Sequence, residues 1–279
     1  MTSELPDGMT TITLGPAGTY SHRAAKAVED GDIEFAESMT AIVEAVAEGA
    51  ADRGVVPVEN SIEGSVTESL DAFSEYDVAV VEEIITPIRH ALLAQGESFD
   101  LVCSHAQALA QCRGWLDEHY PDVEVEAVAS TARGVERARE DPSVAAIGHP
   151  ENATNGAELE LLAEDIQDQS SNATRFVAVA PASERTDAGS KTSFIVYPNA
   201  DYPGLLLELL EAFADRDINL TRIESRPSGE RLGDYVFHID AAAGLYEERT
   251  QDALEDIEDL AENGWVRHLG SYDSVTVLN

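Results

Sequence analysis

The chain has 279 residues, 43% of them hydrophobic, which is enough for two domains with cores of their own at roughly 100 to 200 residues per domain. Its 54 acidic residues against 17 basic ones give a formal charge of −37, a surface that repels nucleic acid and anionic membranes and excludes both as partners. No apolar run reaches the roughly 20 residues of a membrane span, and the first residues have neither the basic nor the apolar region of a signal peptide, so a cytoplasmic protein is expected.

In chain order, residues 11–14 read as a strand, Gly15-Pro16-Ala17-Gly18 as a loop, and 21–29 as a helix. Residues 33–36 form a short strand, and a helix opens near Thr40, where Ile42, Val43, Val46 and Ala47 keep helical spacing. A third strand, 54–58, ends at Glu59-Asn60-Ser61. After Pro87 a second group begins, with strands at 91–94, 100–103, 123–128 and 144–148 and helices over 106–120 and 132–140. Residues 176–179 close this part with a strand. The alternation predicts an α/β domain with mostly parallel strands, in which the segment after Ile166 returns to the first of two lobes.

Residues 182–190 read as a linker. Beyond it come a strand at 191–197, a helix at 205–214, strands at 218–223 and 235–240, a helix at about 247–263 and a strand from Val266, a βαββαβ pattern. Cys103 and Cys112 are the chain's two cysteines. With no Cys-x-x-Cys and no histidine-rich partner cluster, no metal site is expected, and both are predicted to be reduced, partly buried thiols.

Candidate functional residues come from position. Thr19 and Ser21, Asn60 and Ser61, Ser104, and Ser130 with Thr131 each follow a strand and precede a helix, where a hydroxyl or amide normally caps the helix. Their repetition points further, because ligands of open α/β sheets bind beyond the carboxyl ends of strands, and free N–H groups at helix starts draw anions there. After Asp165-Ile166-Gln167-Asp168 comes Asn172-Ala173-Thr174-Arg175-Phe176, a hydroxyl donor flanked by an amide, a cation and an aromatic ring. A guanidinium can grip a carboxylate with two parallel hydrogen bonds, and the threonine can offer a proton to a leaving oxygen. Taken alone, the string reads equally as a surface charge beside a strand residue.

Gly15-Pro16-Ala17-Gly18-Thr19-Tyr20-Ser21, Val56-Pro57-Val58-Glu59-Asn60-Ser61, Ser104-His105-Ala106-Gln107-Ala108-Leu109-Ala110-Gln111-Cys112 and Thr174-Arg175-Phe176 together resemble prephenate dehydratase, in that family's order. Glu224-Ser225-Arg226-Pro227, after Asn219-Leu220-Thr221-Arg222-Ile223, resembles the regulatory ACT domain fused to it. The resemblance implies a two-lobed, periplasmic-binding-protein-like α/β catalytic domain over 10–182, its second lobe about 87–165, and a ferredoxin-like ACT domain over 191–279. It also implies conversion of prephenate to phenylpyruvate, water and carbon dioxide without a cofactor, by a homodimer or homotetramer regulated by phenylalanine.

On this resemblance Thr174 is the catalytic residue and Arg175 the clamp on the pyruvyl carboxylate. Asn60, Ser61, Ser104, Gln107, Gln111 and Ser130 hold the remaining oxygens, and Phe176 packs below the ring or belongs to the core. The effector set is Gly204, Leu205, Leu206, Asn219, Leu220, Glu224, Ser225, Arg226 and Pro227. Ala106, Tyr20, Ala91 and Leu205 depart from residues usual in the family, Leu205 being the bulkier one beside the effector pocket. A non-catalytic amino-acid sensor with a two-lobed anion-binding domain and the same ACT module is the alternative; it would need the cation but has no use for an aligned proton donor.

The charge carries an expectation of its own, since its magnitude far exceeds the roughly 2 to 8 of a small soluble domain. At about 1 M salt the Debye length shrinks to roughly 3 Å and most of the self-repulsion vanishes. A halophile that keeps molar salt inside the cell is the expected source.

Overall fold

A computed structural model describes residues 9–28, 32–153, 158–169, 171–186 and 188–276. The expected helix end at Glu29 and the last residues of the expected ACT domain, 277–279, lie outside the described residues. In chain order the elements are β1 (Thr10–Leu14), α1 (Tyr20–Val28), β2 (Asp32–Ala36), α2 (Met39–Ala47), β3 (Arg53–Asn60), β4 (Gly64–Ser65), α3 (Thr67–Glu75) and β5 (Val78–Pro87). Then follow β6 (Ala91–Ala94), β7 (Leu101–His105), α4 (Ala106–Gln111), α5 (Arg113–His119), β8 (Glu124–Val128), α6 (Thr131–Glu140), β9 (Val144–Gly148), β10 (Glu160–Ala163) and β11 (Ala173–Pro181). The last third holds β12 (Lys191–Tyr197), α7 (Leu205–Ala214), β13 (Leu220–Pro227), β14 (Tyr235–Ala241), α8 (Glu248–Leu260), β15 (Trp265–Tyr272) and β16 (Ser274–Thr276).

Two compact units result. The first takes the described residues of 1–14, 24–85 and 175–277, the second those of 15–23 and 86–174. In the first, a sheet in the order β16-β5-β11-β3-β1-β2, with β4 on β3, is parallel at β1–β2, β1–β3 and β16–β5. In the second, the order is β10-β6-β9-β7-β8. Here β7 runs parallel to β8 and β9, but β6 is antiparallel to β9 and β10, so the sheet is mixed where the sequence predicts a mostly parallel one.

Helix α2 forms as its spacing dictates: Ile42, Val43 and Val46 are buried, and the Ser38 side chain caps the start by accepting from the Ala41 N–H at 3.1 Å. Besides the short strands β4 and β10, helix α3 and strand β5 escape the sequence reading. Helix α3 begins after Val66 without a side-chain cap, so the usual start signal is missing. Strand β5 carries Glu82-Glu83 in the middle of its apolar run, which hides the signal of a buried strand. The expected single helix over 106–120 is broken at Cys112 into α4 and α5. Both cysteines are free and fully buried, deeper than expected. In α6, Gly134 permits close packing on β7, since a Cβ there would stand 2.8 Å from the Cys103 carbonyl oxygen.

Also within the first unit, the sheet β13-β14-β12-β15 is antiparallel throughout. Its strands sort their side chains with period two. On β12, Phe194 and Val196 enter a core with Leu209 and Phe213 of α7 and Ile257 of α8. Ile195 and Tyr197 join a second core with Leu70 and Phe73 of α3 and with Val56 and Val177 of the larger sheet. The small sheet is therefore covered on both faces, and β12 is buried along nearly its whole length.

Polar contacts reinforce the second face. Arg267 donates to the Phe73, Ser74 and Tyr76 carbonyl oxygens at 2.9, 3.3 and 3.2 Å, placing a cation where the α3 dipole is negative. Arg226 grips Asp71 with two bonds of 2.9 and 2.8 Å, and Ser65 donates to Glu224 at 3.0 Å.

His238, on the same face, lies 3.2 Å from the Ser74 hydroxyl; burial first, then the Arg222 charge, draws its imidazole down to about 4. In the unfolded chain a histidine titrates at about 6.5. Between these values only the unfolded chain takes up the proton. The contribution is therefore whole above about 6.5 and is lost as pH falls toward about 4, by up to roughly 3 kcal/mol. Thermal melts at constant salt should show the midpoint falling between about pH 7 and 5, and His238→Gln should flatten that profile. An unchanged slope in the variant would remove this residue as the cause.

Candidate active site

In the second unit, segments far apart in sequence meet around Gln111. Its side-chain oxygen accepts from the Asn172 amide at 2.9 Å and lies 2.9 Å from the His90 Nε2, which must then carry the proton. The His90 Nδ1 is buried without a hydrogen-bond partner among the described residues, and burial lowers the imidazole pKa although the bond to Gln111 opposes it. His90 is thus held neutral. Its backbone N–H donates to the Gln167 side chain at 2.8 Å, and the Asp168 N–H donates to the Gln111 carbonyl at 2.7 Å. The Asp168 carboxylate in turn receives the Gly114 and Trp115 N–H groups at 3.0 and 3.2 Å, capping the start of α5.

Tyr20 adjoins this cluster. Its hydroxyl donates to the Arg89 carbonyl, and its ring stands edge-on to His90 and His149 with centroids 6.2 and 5.8 Å away. Burial pushes the Tyr20 phenol upward, so it stays a donor at neutral pH. Asn172 immediately precedes β11, whose second residue is Thr174, and strand alternation turns Thr174 and Arg175 to opposite faces. Thr174 is half-buried.

The other expected residues are scattered in role. Ser104 is no helix cap: it is fully buried and donates to the Ile147 carbonyl at 2.6 Å, while His105 caps α4. Ser130 does cap α6, accepting from the Arg133 N–H at 3.1 Å, and Gln107 is half-buried on α4. In the first unit, the Asn60 side chain accepts from the Ile62 and Glu63 N–H groups at 3.0 and 3.1 Å. It shapes a turn after β3 where the sequence predicts a helix start, and Ser61 is exposed in that turn. Phe176 is 2% exposed and belongs to the core.

Arg175 departs from expectation. Its guanidinium donates to Glu83, to Asp240 at 2.6 Å and to the Tyr272 hydroxyl at 3.0 Å, and its side chain is only 11% exposed. The fork expected to grip a substrate carboxylate is filled by the protein's own groups. Burial works against the charge, but Asp240, Tyr272 and Glu83 raise the guanidinium pKa further. The carboxyls respond in kind. Burial would raise both, yet Arg175 with Lys191 and Ser274 holds Glu83 below its ordinary value, and Arg175 with Arg222 and Ser193 does the same for Asp240.

The expected effector set divides. Gly204 precedes α7 with φ of 109°, a left-handed conformation that favours glycine; Leu205 is buried behind it and Leu206 is 44% exposed. Asn219 and Leu220 lead into β13, the Asn219 carbonyl accepting from the Ala242 N–H at 2.8 Å. On β13, Ser225 is exposed, whereas Glu224 and Arg226 reach Ser65 and Asp71 of the same unit. Arg226 and Pro227 line a groove of ≈ 360 Å³ together with Tyr197, Val236 and Trp265.

The sequence reading does not single out His90, Tyr20 or Gln167 as site residues. Tyr20 and Gln167 stand in strings that the sequence reading quotes, but their roles, like that of His90, come from partners distant in sequence.

A larger α/β sheet joined by an antiparallel βαββαβ module, with a neutral histidine and amides beside a strand-borne threonine, defines a small-molecule enzyme with an attached regulatory fold. A family model described as prephenate dehydratase matches residues 11–184, and one described as ACT domain matches 199–262. The prephenate dehydratase of Methanocaldococcus jannaschii is 38% identical over 268 residues, spanning 92% of this chain and 95% of the relative. The bifunctional chorismate mutase/prephenate dehydratase of Aquifex aeolicus is 40% identical over 264 residues, 93% of this chain and 72% of that protein. The crystal structure of the prephenate dehydratase from Arthrobacter aurescens in complex with L-Phe has a TM-score of 0.85 at 36% identity, covering 95% of this chain and 90% of that one. The chain belongs to the prephenate dehydratase family and carries an ACT domain.

Gln111→Leu removes the acceptor that His90 and Asn172 share and should destabilise the fold by about 1 to 3 kcal/mol. Urea unfolding at fixed salt measures this; an unchanged midpoint would mean that the cluster does not hold the site together.

Proposed function

We infer that the protein converts prephenate to phenylpyruvate, water and carbon dioxide, with Thr174 as the group that meets the departing hydroxyl. The ring carboxylate leaves as carbon dioxide, its bonding electrons move through the diene, and the ring hydroxyl leaves with one proton as water. Aromatisation supplies the driving force, so the protein's task is alignment and delivery of one proton. The observation that carries this reading is that Thr174, second residue of β11, follows two positions after Asn172, whose amide is fixed on Gln111 beside neutral His90. Gln111 and Asn172 are already oriented by bonds to one another, which lowers the cost of ordering them around a substrate.

Asn60, Ser61, Gln107, Gln111 and Ser130 remain the proposed partners of the substrate oxygens, whereas Ser104, fully buried on the Ile147 carbonyl, is not one of them. With the Arg175 fork occupied, the substrate's two negative charges fall to amides, hydroxyls and backbone N–H groups at helix starts. Regulation by phenylalanine through the ACT domain is supported by the L-Phe complex of the relative from Arthrobacter aurescens. The proposed effector residues are Gly204, Leu205, Leu206, Asn219, Leu220, Glu224, Ser225, Arg226 and Pro227, in a homodimer or homotetramer within the cytoplasm.

A Thr174→Val variant is nearly isosteric but lacks the hydroxyl. Its kcat should fall by about 100-fold or more with KM little changed, measured by the alkaline ultraviolet absorbance of phenylpyruvate. Wild-type turnover in this variant would remove Thr174 from the mechanism.

We also propose that the fold depends on salt, as the charge of −37 suggests for a halophile's protein. The unfolding midpoint should rise steeply between about 0.1 M and 2 M KCl, where screening removes self-repulsion. Equal midpoints at the two concentrations would dismiss the idea.

A further inference from the structure

The boundary between the two units falls inside two strands, between Ile85 and Thr86 on β5 and between Thr174 and Arg175 on β11. The last charged residue of β5 before its boundary is Glu83, and the first residue of β11 after its boundary is Arg175. These two side chains are bonded to each other, so the two strands are fastened together next to two of the points where the chain passes between the units, the others among the described residues being Leu14 to Gly15 and Arg23 to Ala24. Both side chains are nearly excluded from water, Arg175 at 11% exposure and Glu83 at 2%.

The fastening is completed from the small sheet. Asp240 of β14, 4% exposed, takes a second arm of Arg175 at 2.6 Å, and Tyr272 of β15 takes a third at 3.0 Å. Lys191 of β12 holds both oxygens of Glu83 at 2.7 and 2.9 Å, and Ser274 of β16 donates to the same carboxylate. Ser193 ties the Asp240 carboxylate to the Tyr272 hydroxyl. Strands β12, β14 and β15 thus hydrogen-bond into a buried ionic knot centred on Arg175, the residue that directly follows Thr174. Buried ion pairs tolerate little displacement, because a charge that loses its partner in a dry interior is strongly destabilised.

We propose that Arg175 is a positioning residue through which the ACT sheet sets the placement of Thr174, and that it is not a ligand of the substrate. The inference rests on the reading of Thr174 as the catalytic group. A shift of β14 or β12 on effector binding would be passed to Arg175 and Glu83 and so to the first residues of β11, whereas a substrate clamp on Arg175 would be independent of the small sheet.

The test is a double-mutant cycle of Arg175→Gln and Asp240→Asn, with kcat, KM and the ratio of rates with and without L-phenylalanine measured for each. Each single variant should lose about tenfold in kcat with KM changed less than about twofold, and each should lose most of its response to phenylalanine. The double variant should be no worse than the poorer single one, since both changes cut the same connection. A rise of about tenfold in KM for Arg175→Gln, with Asp240→Asn near wild type, would overturn the proposal and restore the substrate clamp. Losses that multiply in the double variant, or an intact phenylalanine response in Asp240→Asn, would also overturn it. Thermal melts report folding of each variant; where Asp240→Asn does not fold, Lys191→Met breaks the knot at Glu83 and is held to the same outcomes. A Thr174→Val enzyme with full turnover would sink the reading of the threonine on which the proposal rests, whereas the ratios of the cycle test the connection between Arg175 and the small sheet and tell the two failures apart.

Discussion

The knot of Arg175, Glu83 and Asp240 is the constraint around which the first unit is organised. Removing an ion from water costs several kcal/mol even after relaxation, and the cost is recovered only where every donor and acceptor is filled. Here Lys191, Ser193, Ser274 and Tyr272 fill them. With Arg222 also reaching within 3.8 Å of Asp240, the cations Arg175, Lys191 and Arg222 face the carboxylates Glu83 and Asp240, a positive interior inside a chain of formal charge −37. The knot lies between two layers, so neither can be repacked without stranding a charge.

Hydrophobic burial and this polar cluster act on the same face of the small sheet. Ile195, Tyr197 and Leu269 supply apolar area against α3 and the larger sheet, while His238 and Asp240 of β14 stand among them as buried polar groups. Apolar contact supplies most of the attraction and is not directional; the ion pairs and the Arg267 cap on α3 fix register. A cavity of ≈ 20 Å³ in this layer, lined by Arg175, Ser193, Arg222 and His238, is large enough for about one water molecule. The second unit is built differently. Its polar cluster is made of the neutral side chains of Gln111, Asn172, His90 and Gln167, joined by hydrogen bonds and not by ion pairs.

Much of the architecture was legible because its causes are local. The spacing of Ile42, Val43 and Val46 and the cap at Ser130 are set by near neighbours, and the elements appear where those signals stand. The misses have physical reasons of the opposite kind. Strand β5 hid behind Glu82 and Glu83 because the countercharge of Glu83 is 92 residues away at Arg175. The break at Cys112 was hidden because the cap of α5 comes from Asp168, 54 residues beyond Gly114.

The sequence by itself determined the order of strands and helices, the acidic surface, and motifs sufficient to point to the prephenate dehydratase family with its ACT domain. Only the tertiary structure decided which groups Arg175 meets. A string such as Thr174-Arg175-Phe176 specifies a hydroxyl, a cation and a ring, but strand alternation turns neighbours to opposite faces. What each then meets depends on residues as distant as Asp240 and Tyr272, 65 and 97 positions further along. Charge is long-ranged and its partners are chosen by folding, whereas helix and strand propensities are settled within a few residues, and that difference in range separates what could be read from what had to be seen.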